Sequence, residues 1–450
     1  MKKILLAVAC FAMTLLAQAN PAHKVKINDG LTVSVEACSE SIFRIKVSPR
    51  KDFTESLMER YELIKTDWSE VKTDISDKGG VWTLKTSEYS LAINKKTGVM
   101  TVKDAKGGKV IREVRFLPEK EGLCGEMRSF INEKYADLKV ADNGGGIIGD
   151  DNGKFGEVDK HEIPAADAVS ILSFSMEDGE RFYGGGSTSR DHIQHRGEFL
   201  RMWTTYQQTE IPMPFMMSSH GWGVYNNSTR KSFFDIGNQQ KSKFNIINTF
   251  DEADFFLMMG KDMPAILNEY TLVTGRTYVL PKWAYGLCFG PNMREEQFDI
   301  LNDAVRFRQF DVPCDVFWLE PQWMEKRYDF STKKKWNYDR FSPEPYWLQD
   351  QYPKTMHNRL FIGKLRSMGF HLGLWLCEEY DLSIQEEDII AERTGGKLSG
   401  QEHWMDHLTV FMDQGVEGFK LDPARTIDNH TNWEYYNGRT DKEMHNLNQV

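Results

Sequence analysis

The chain has 450 residues, of which 40% are hydrophobic, and a formal net charge of -10. That length allows two or more domains with sizeable cores. The charge excludes an overall basic protein, and no nucleic-acid partner is expected.

Residues 1–19 read as a cleavable export signal. Lys2 and Lys3 form a basic start, residues 4–16 are an apolar run, and Ala17-Gln18-Ala19 is a small-residue cleavage site. The run is shorter than the ~20 residues that span a bilayer, so the mature chain is expected without a membrane-spanning segment, in the periplasm or secreted. Cys38, Cys124, Cys288, Cys314 and Cys377 follow the signal. Their odd number and the lack of a C-x-x-C spacing favour free structural thiols over zinc or redox chemistry.

Residues 20–279 predict a β-sandwich. Leu31, Val33 and Val35 alternate with polar neighbours, as do Phe43, Ile45 and Val47, then Trp82 with Leu84 and Leu91 with Ile93. Turn chemistry separates them at Asp29-Gly30, Lys78-Gly79-Gly80 and Thr97-Gly98. Almost no long helical period interrupts the pattern. An irregular insertion is expected near 115–170, centred on the glycine- and acid-rich residues 141–156. Their spacing fits no twelve-residue calcium loop. Gly184-Gly185-Gly186 lacks a phosphate-loop context and predicts a tight turn or a close backbone approach.

From residue 280 the pattern changes to alternating strands and helices. Residues 284–289 predict a strand, 295–310 a helix with Phe298, Leu301 and Val305 on its apolar face, and 314–319 a second strand. A loop carrying Trp323, Tyr328, Trp336 and Trp347 precedes a helix over 356–368, capped by Gly369. Residues 371–377 predict the third strand. Trp404, Leu408 and Phe411 mark another helix, and 418–421 the fourth strand. This alternation calls for a parallel sheet. Glu320, Glu378 with Glu379, and Asp422 fall just beyond successive strands, where a barrel gathers its strand ends at one mouth. The expectation for 280–450 is therefore the first half of a (β/α)8 TIM barrel, with the remainder on a longer polypeptide.

The residues that carry a resemblance are Phe182-Tyr183-Gly184-Gly185-Gly186, Pro214-Phe215 with Gly221-Trp222-Gly223, Leu280-Pro281-Lys282-Trp283, and the run 311–319. In this order they resemble glycoside hydrolase family 31, retaining α-glycosidases that place a galactose mutarotase-like β-sandwich before a (β/α)8 barrel. The resemblance implies a glycoside or oligosaccharide substrate and no cofactor or metal. It makes Asp422 the nucleophile that forms a covalent glycosyl-enzyme, where the residue's position alone also suits a helix N-cap. The general acid is implied in a later barrel loop, beyond Val450. An oligomeric contact through that later region stays open.

Glu320 stands where the family usually carries an Asp that grips sugar hydroxyls. Its extra methylene moves the carboxylate by about 1.5 Å, a displacement that matters for catalytic positioning. After Asp422, Pro423-Ala424-Arg425 lacks the acid that many members place two residues on; Arg425 either replaces it as a polar contact or caps a loop. Lys420 shares a strand face with Asp422 and is expected to hold it as a carboxylate or to contact sugar. One of Glu378 and Glu379 is expected to face the pocket. Trp323 is the expected pocket wall, while Trp375 and Trp318 suit either sugar stacking or barrel packing. The competing functional reading is a carbohydrate-binding protein, or a truncated remnant of a hydrolase, without turnover.

Overall fold

A computed structural model of the chain describes residues 20–28, 30–118, 122–134, 169–187, 192–203, 211–291, 296–341, 360–377, 380–421 and 435–447. Two antiparallel sheets make up the N-terminal part. The seven-stranded sheet runs, in spatial order, His23–Lys26, Thr32–Ala37, Ile42–Ser48, Ala253–Met259, Trp222–Asn226, Ile211–Ser218 and Phe182–Ser187. The nine-stranded sheet runs from Phe199–Met202 through Ser232–Ile236, Lys243–Asn248 and Ser170–Ser175 to Lys109–Pro118, and ends at Asp74–Lys78. Alternation explains the sandwich: Val33, Val35, Phe43, Ile45 and Val47 of one sheet meet Leu84, Leu91, Ile93, Leu172 and Phe244 of the other in a single buried core.

Gly184 and Gly186 mark a bulge where this strand meets Ile211–Ser218. A Cβ at Gly186 would lie 2.1 Å from the Ile211 carbonyl oxygen, and one at Gly184 2.5 Å from that of Phe215. The glycines thus serve a close backbone approach within a strand.

Besides a short helix at Leu57–Arg60, two longer helices among the described residues depart from the expected all-strand pattern. Met263–Thr274 is capped by Asp262, whose side chain accepts a bond from Ala265 N at 2.9 Å. It covers the outer face of the seven-stranded sheet, where Ile266 and Val273 join Phe215, Tyr225, Phe256 and Met258 in a second core. Gly122–Lys134 lies within the region expected to be irregular, and residues 115–118 are still strand. Residues 141–156 lie outside the described residues.

The C-terminal part is a parallel sheet of four strands in sequence order: Cys288–Phe289, Val316–Leu319, His371–Leu376 and Gly418–Leu421. The first strand is shorter than expected: Pro281 opens a 3-10 turn over Lys282–Tyr285 that takes up Ala284 and Tyr285, and strand pairing begins only at Cys288. The helix after it, Gln297–Gln309, turns a different face inward. Ile300 and Ala304 are buried four residues apart, while Phe298 is 67% and Val305 40% exposed. Leu360–Ser367 and Trp404–Asp413 form as expected over their described residues, with Gly369 (φ 78) and Gly415 (φ 104) just past their ends. Ser383–Thr394 is a further helix that the sequence reading did not anticipate.

The two parts are tied together. Arg60 and Tyr61, beside a short helix Leu57–Arg60 of the sandwich, both donate to Glu387 on Ser383–Thr394, Arg60 at 2.5 Å and Tyr61 at 2.8 Å. Tyr435, Met444 and Leu447, after the fourth strand, pack into the second core of the sandwich. Among the described residues no helix is long and apolar enough to cross a membrane. All five described cysteines are free thiols, four buried and Cys288 exposed.

Candidate active site

Strand parity builds the site. Phe317, Leu319, Leu372, Leu374 and Leu376 point toward the helices and pack with Ile300, Phe361, Leu365, Leu408 and Phe411. Residues of the other parity belong to the opposite face. Register aligns Trp318 with Gly373 and Gly373 with Gly418, and one step further it aligns Trp375 with Lys420.

Trp318 explains both strand glycines. A Cβ on Gly373 would lie 2.1 Å from the Trp318 ring and one on Gly418 3.0 Å from it. The indole therefore spreads from its own strand across the next two, forming a floor beneath the strand ends. Trp375, one residue pair nearer the strand ends, is 3% exposed, with Tyr328 edge-on at 5.6 Å. It packs under a loop and does not offer an open stacking face.

Glu320 follows the second strand directly, and Lys420 sits near the end of the fourth. The Lys420 ammonium stands 3.5 Å from Glu320 Oε1, with Glu320 23% and Lys420 48% exposed. These opposite charges meet over the ends of the second and fourth parallel strands, across the third that lies between them, with water access retained. Glu320 also leans toward the end of the first strand, where a Cβ at Gly290 would approach Oε1 to 3.5 Å. The pair offers an acceptor and a donor to a polyhydroxyl ligand, and Lys420 supplies positive charge beside the strand end.

Trp323 corrects the expectation of a pocket wall. Pro321–Trp323 forms a 3-10 turn that sends the indole inward, and the residue is fully buried. Its Nε1 donates to the Trp375 carbonyl at 2.7 Å, and its ring meets Trp336 and Phe411 edge-on, each at 5.1 Å. The side chain supports the site from within the core. Glu378, Glu379, Asp422 and Arg425 lie outside the described residues. Among the described residues no group of three or more His, Cys, Asp or Glu side chains is arranged to hold a metal ion.

Sequence reasoning did not identify Trp318 as the floor. The available signal was glycine inside two successive strands, which marks a close approach by a neighbouring group.

Comparison with known proteins gives a consistent picture. Residues 32–235 match the family model of the glycosyl hydrolase 31 N-terminal galactose mutarotase-like domain, and residues 277–450 that of the glycosyl hydrolases family 31 TIM-barrel domain. An alpha-xylosidase of Emericella nidulans is 22% identical over 67% of this chain and 40% of its own length. An alpha-xylosidase of Saccharolobus solfataricus is 27% identical over 65% of this chain and 40% of its own. The chain thus spans about two fifths of the length of these curated relatives. In fold it is similar to a Flavobacterium johnsoniae GH31 dextranase solved with glucose, at TM-score 0.64 and 17% identity, over 95% of this chain and 51% of that one.

Proposed function

The chain belongs to glycosyl hydrolase family 31, and from that premise we propose that it carries the nucleophile of a retaining α-glycosidase site, acting on terminal α-linked glycosides. The observation that supports this most directly is the Glu320–Lys420 pair over the ends of the second and fourth parallel strands. Asp422 is the nucleophile, attacking the anomeric carbon as the glycosidic bond breaks; a separate acid protonates the departing oxygen and then activates water. Lys420 favours the ionised form of a carboxylate at this strand end and, with Glu320, orients sugar hydroxyls. Of the other polar candidates, one of Glu378 and Glu379 lines the pocket and Arg425 takes up a polar contact beside the nucleophile. The acid/base is assigned to no residue of this chain. Export after cleavage near Ala19 belongs to the same proposal, since it would place the enzyme with external glycosides.

Several relatives are named alpha-xylosidases, so aryl α-xylosides head the substrate panel, followed by α-glucosides and α-galactosides. In the longest natural form of the protein, Asp422→Asn should lower turnover by at least ~10³-fold while sugar binding persists. Proton NMR of the first product should show the α anomer; a β anomer would overturn retention. Normal turnover by Asp422→Asn would remove it as nucleophile. Saccharide binding without turnover in wild type would favour the carbohydrate-binding reading.

A further inference from the structure

Tyr328, in the loop after the second strand, has a strained backbone. Its φ of 53° lies in the left-handed region that bulky side chains rarely enter. The other described non-glycine residues with positive φ, Glu62 and Asp311, are polar and exposed, each just past a helix end. Tyr328 is aromatic and half-buried. Contacts on three sides hold the loop. Met324 bridges Trp336, Glu325 N donates to the Lys335 carbonyl at 2.9 Å, and Asn337 N donates to that of Trp323 at 2.7 Å. The Cys377 thiol, just past the third strand, donates to the Asp329 carbonyl at 3.3 Å. Lys333 pairs with Glu402, ahead of the helix Trp404–Asp413, at 2.7 Å. Backbone strain persists only where the surroundings dictate it, and it concentrates where ligands are held.

The position of Tyr328 follows from strand register. Trp375 pairs with Lys420, and Glu320 comes directly after Leu319, whose partner is Leu374. Glu320, Trp375 and Lys420 therefore form one row on the inner face of the sheet. The Glu320–Lys420 contact closes across the strand that carries Trp375. Trp375 is only 3% exposed, and the Tyr328 ring stands against it at 5.6 Å and 74°. Tyr328 thus lies on the same face beside the same row, and it carries that row's aromatic surface out to solvent. Glu320 and Lys420 offer charge and hydrogen bonds but no cover for the C–H groups of a sugar ring. An aromatic ring beside them supplies that cover.

We propose that Tyr328 is a specificity-determining wall of the site, its ring covering the C–H face of a neutral pyranoside whose hydroxyls contact Glu320 and Lys420. It takes the place that the sequence gave to Trp323. The strained backbone is the cost of presenting a large aromatic side chain at this turn of the loop. This inference rests on the glycosidase reading of the same site, and adds to it the residue that sorts substrates by the apolar face they present.

The test uses the longest natural form of the protein with Asp422→Asn, which keeps the sugar intact, and with 3-fluorotyrosine in place of tyrosine. The Tyr328 fluorine resonance is the one that Tyr328→Phe removes. On titration with methyl α-D-xylopyranoside or methyl α-D-glucopyranoside it should shift with the dissociation constant that calorimetry gives. Unlabelled variants supply a second readout. Tyr328→Asn removes the ring, and Asn accepts a left-handed backbone. Its sugar affinity should fall at least ~tenfold while the thermal midpoint holds or rises. Tyr328→Phe should bind within about twofold of the parent. A sugar that binds while the Tyr328 resonance stays in place would overturn the proposal and leave the glycosidase reading standing. So would a Tyr328→Asn variant that binds as tightly as its parent, whatever its midpoint. No sugar binding in the Asp422→Asn protein, together with no turnover in wild type, would overturn the glycosidase reading and this proposal with it.

Discussion

At the scale of single residues, the inner face of the parallel sheet is set by one large side chain and two absent ones. Gly373→Ala would drive a methyl group into the Trp318 ring, with 2.1 Å available. Overpacking of this kind costs about 1–3 kcal/mol. The cost should shrink in the Gly373→Ala/Trp318→Leu double variant, and a thermodynamic cycle from urea denaturation measures that coupling. Strictly additive effects would contradict the stacking. Glu320 carries a different kind of prediction. Glu320→Asp withdraws the carboxylate from Lys420, now at 3.5 Å, so kcat/KM on the preferred glycoside should fall about 10–100-fold while the fold persists. Steady-state kinetics across the substrate panel will show whether any sugar gains instead.

At the scale of elements, Glu387 is one of the groups that tie the sandwich to the parallel-sheet part. Arg60, donating to it, holds its carboxyl below the ordinary value near 4.5; burial opposes this, and Tyr61 adds a further donated bond. A carboxyl lowered in the folded state contributes stability above its unfolded pKa, and that stability is lost as pH falls through the folded pKa. The melting-temperature gap between wild type and Glu387→Gln should therefore be constant above about pH 5.5 and close as pH drops below about 4.5. Near neutrality the gap should correspond to about 1–3 kcal/mol, the range for hydrogen bonds to a charged group. A gap independent of pH would mean that the carboxylate's charge does not hold the interface. The same contact gives Ser383–Thr394 its role: its acidic side chain reaches the sandwich.

At the scale of the whole molecule, the two parts differ in how completely they cover their apolar surface. Among the described residues, sixteen strands enclose the sandwich core between the two sheets. In the parallel-sheet part, Leu287, Phe298, Phe310, Met412 and Leu421 are 53%, 67%, 75%, 57% and 45% exposed. Such surface favours association and looser packing. Calorimetry on this 450-residue chain should show the parallel-sheet part melting first, with dye binding to exposed apolar surface before the sandwich unfolds. A single cooperative transition without dye binding would count against that order.

The period-two alternation of Val33, Val35, Phe43, Ile45 and Val47 is local, and it determined the sandwich strands because each strand must bury one face. The same holds for the apolar run before Glu320: nearly all apolar, it reads as a strand covered on both faces without any knowledge of its neighbours. What lay beyond sequence was the partner of each group. Trp323 reads as a loop residue until the turn at Pro321 sends it into a core shared with Phe411. The helix Gln297–Gln309 has apolar residues on more than one face, and contact with the sheet selected Ile300 and Ala304. Glu387 looks like any surface glutamate until the fold brings it to Arg60, more than 300 positions away. Periodicity is written in neighbouring residues, whereas burial and charge pairing between distant ones exist only once the chain has closed on itself.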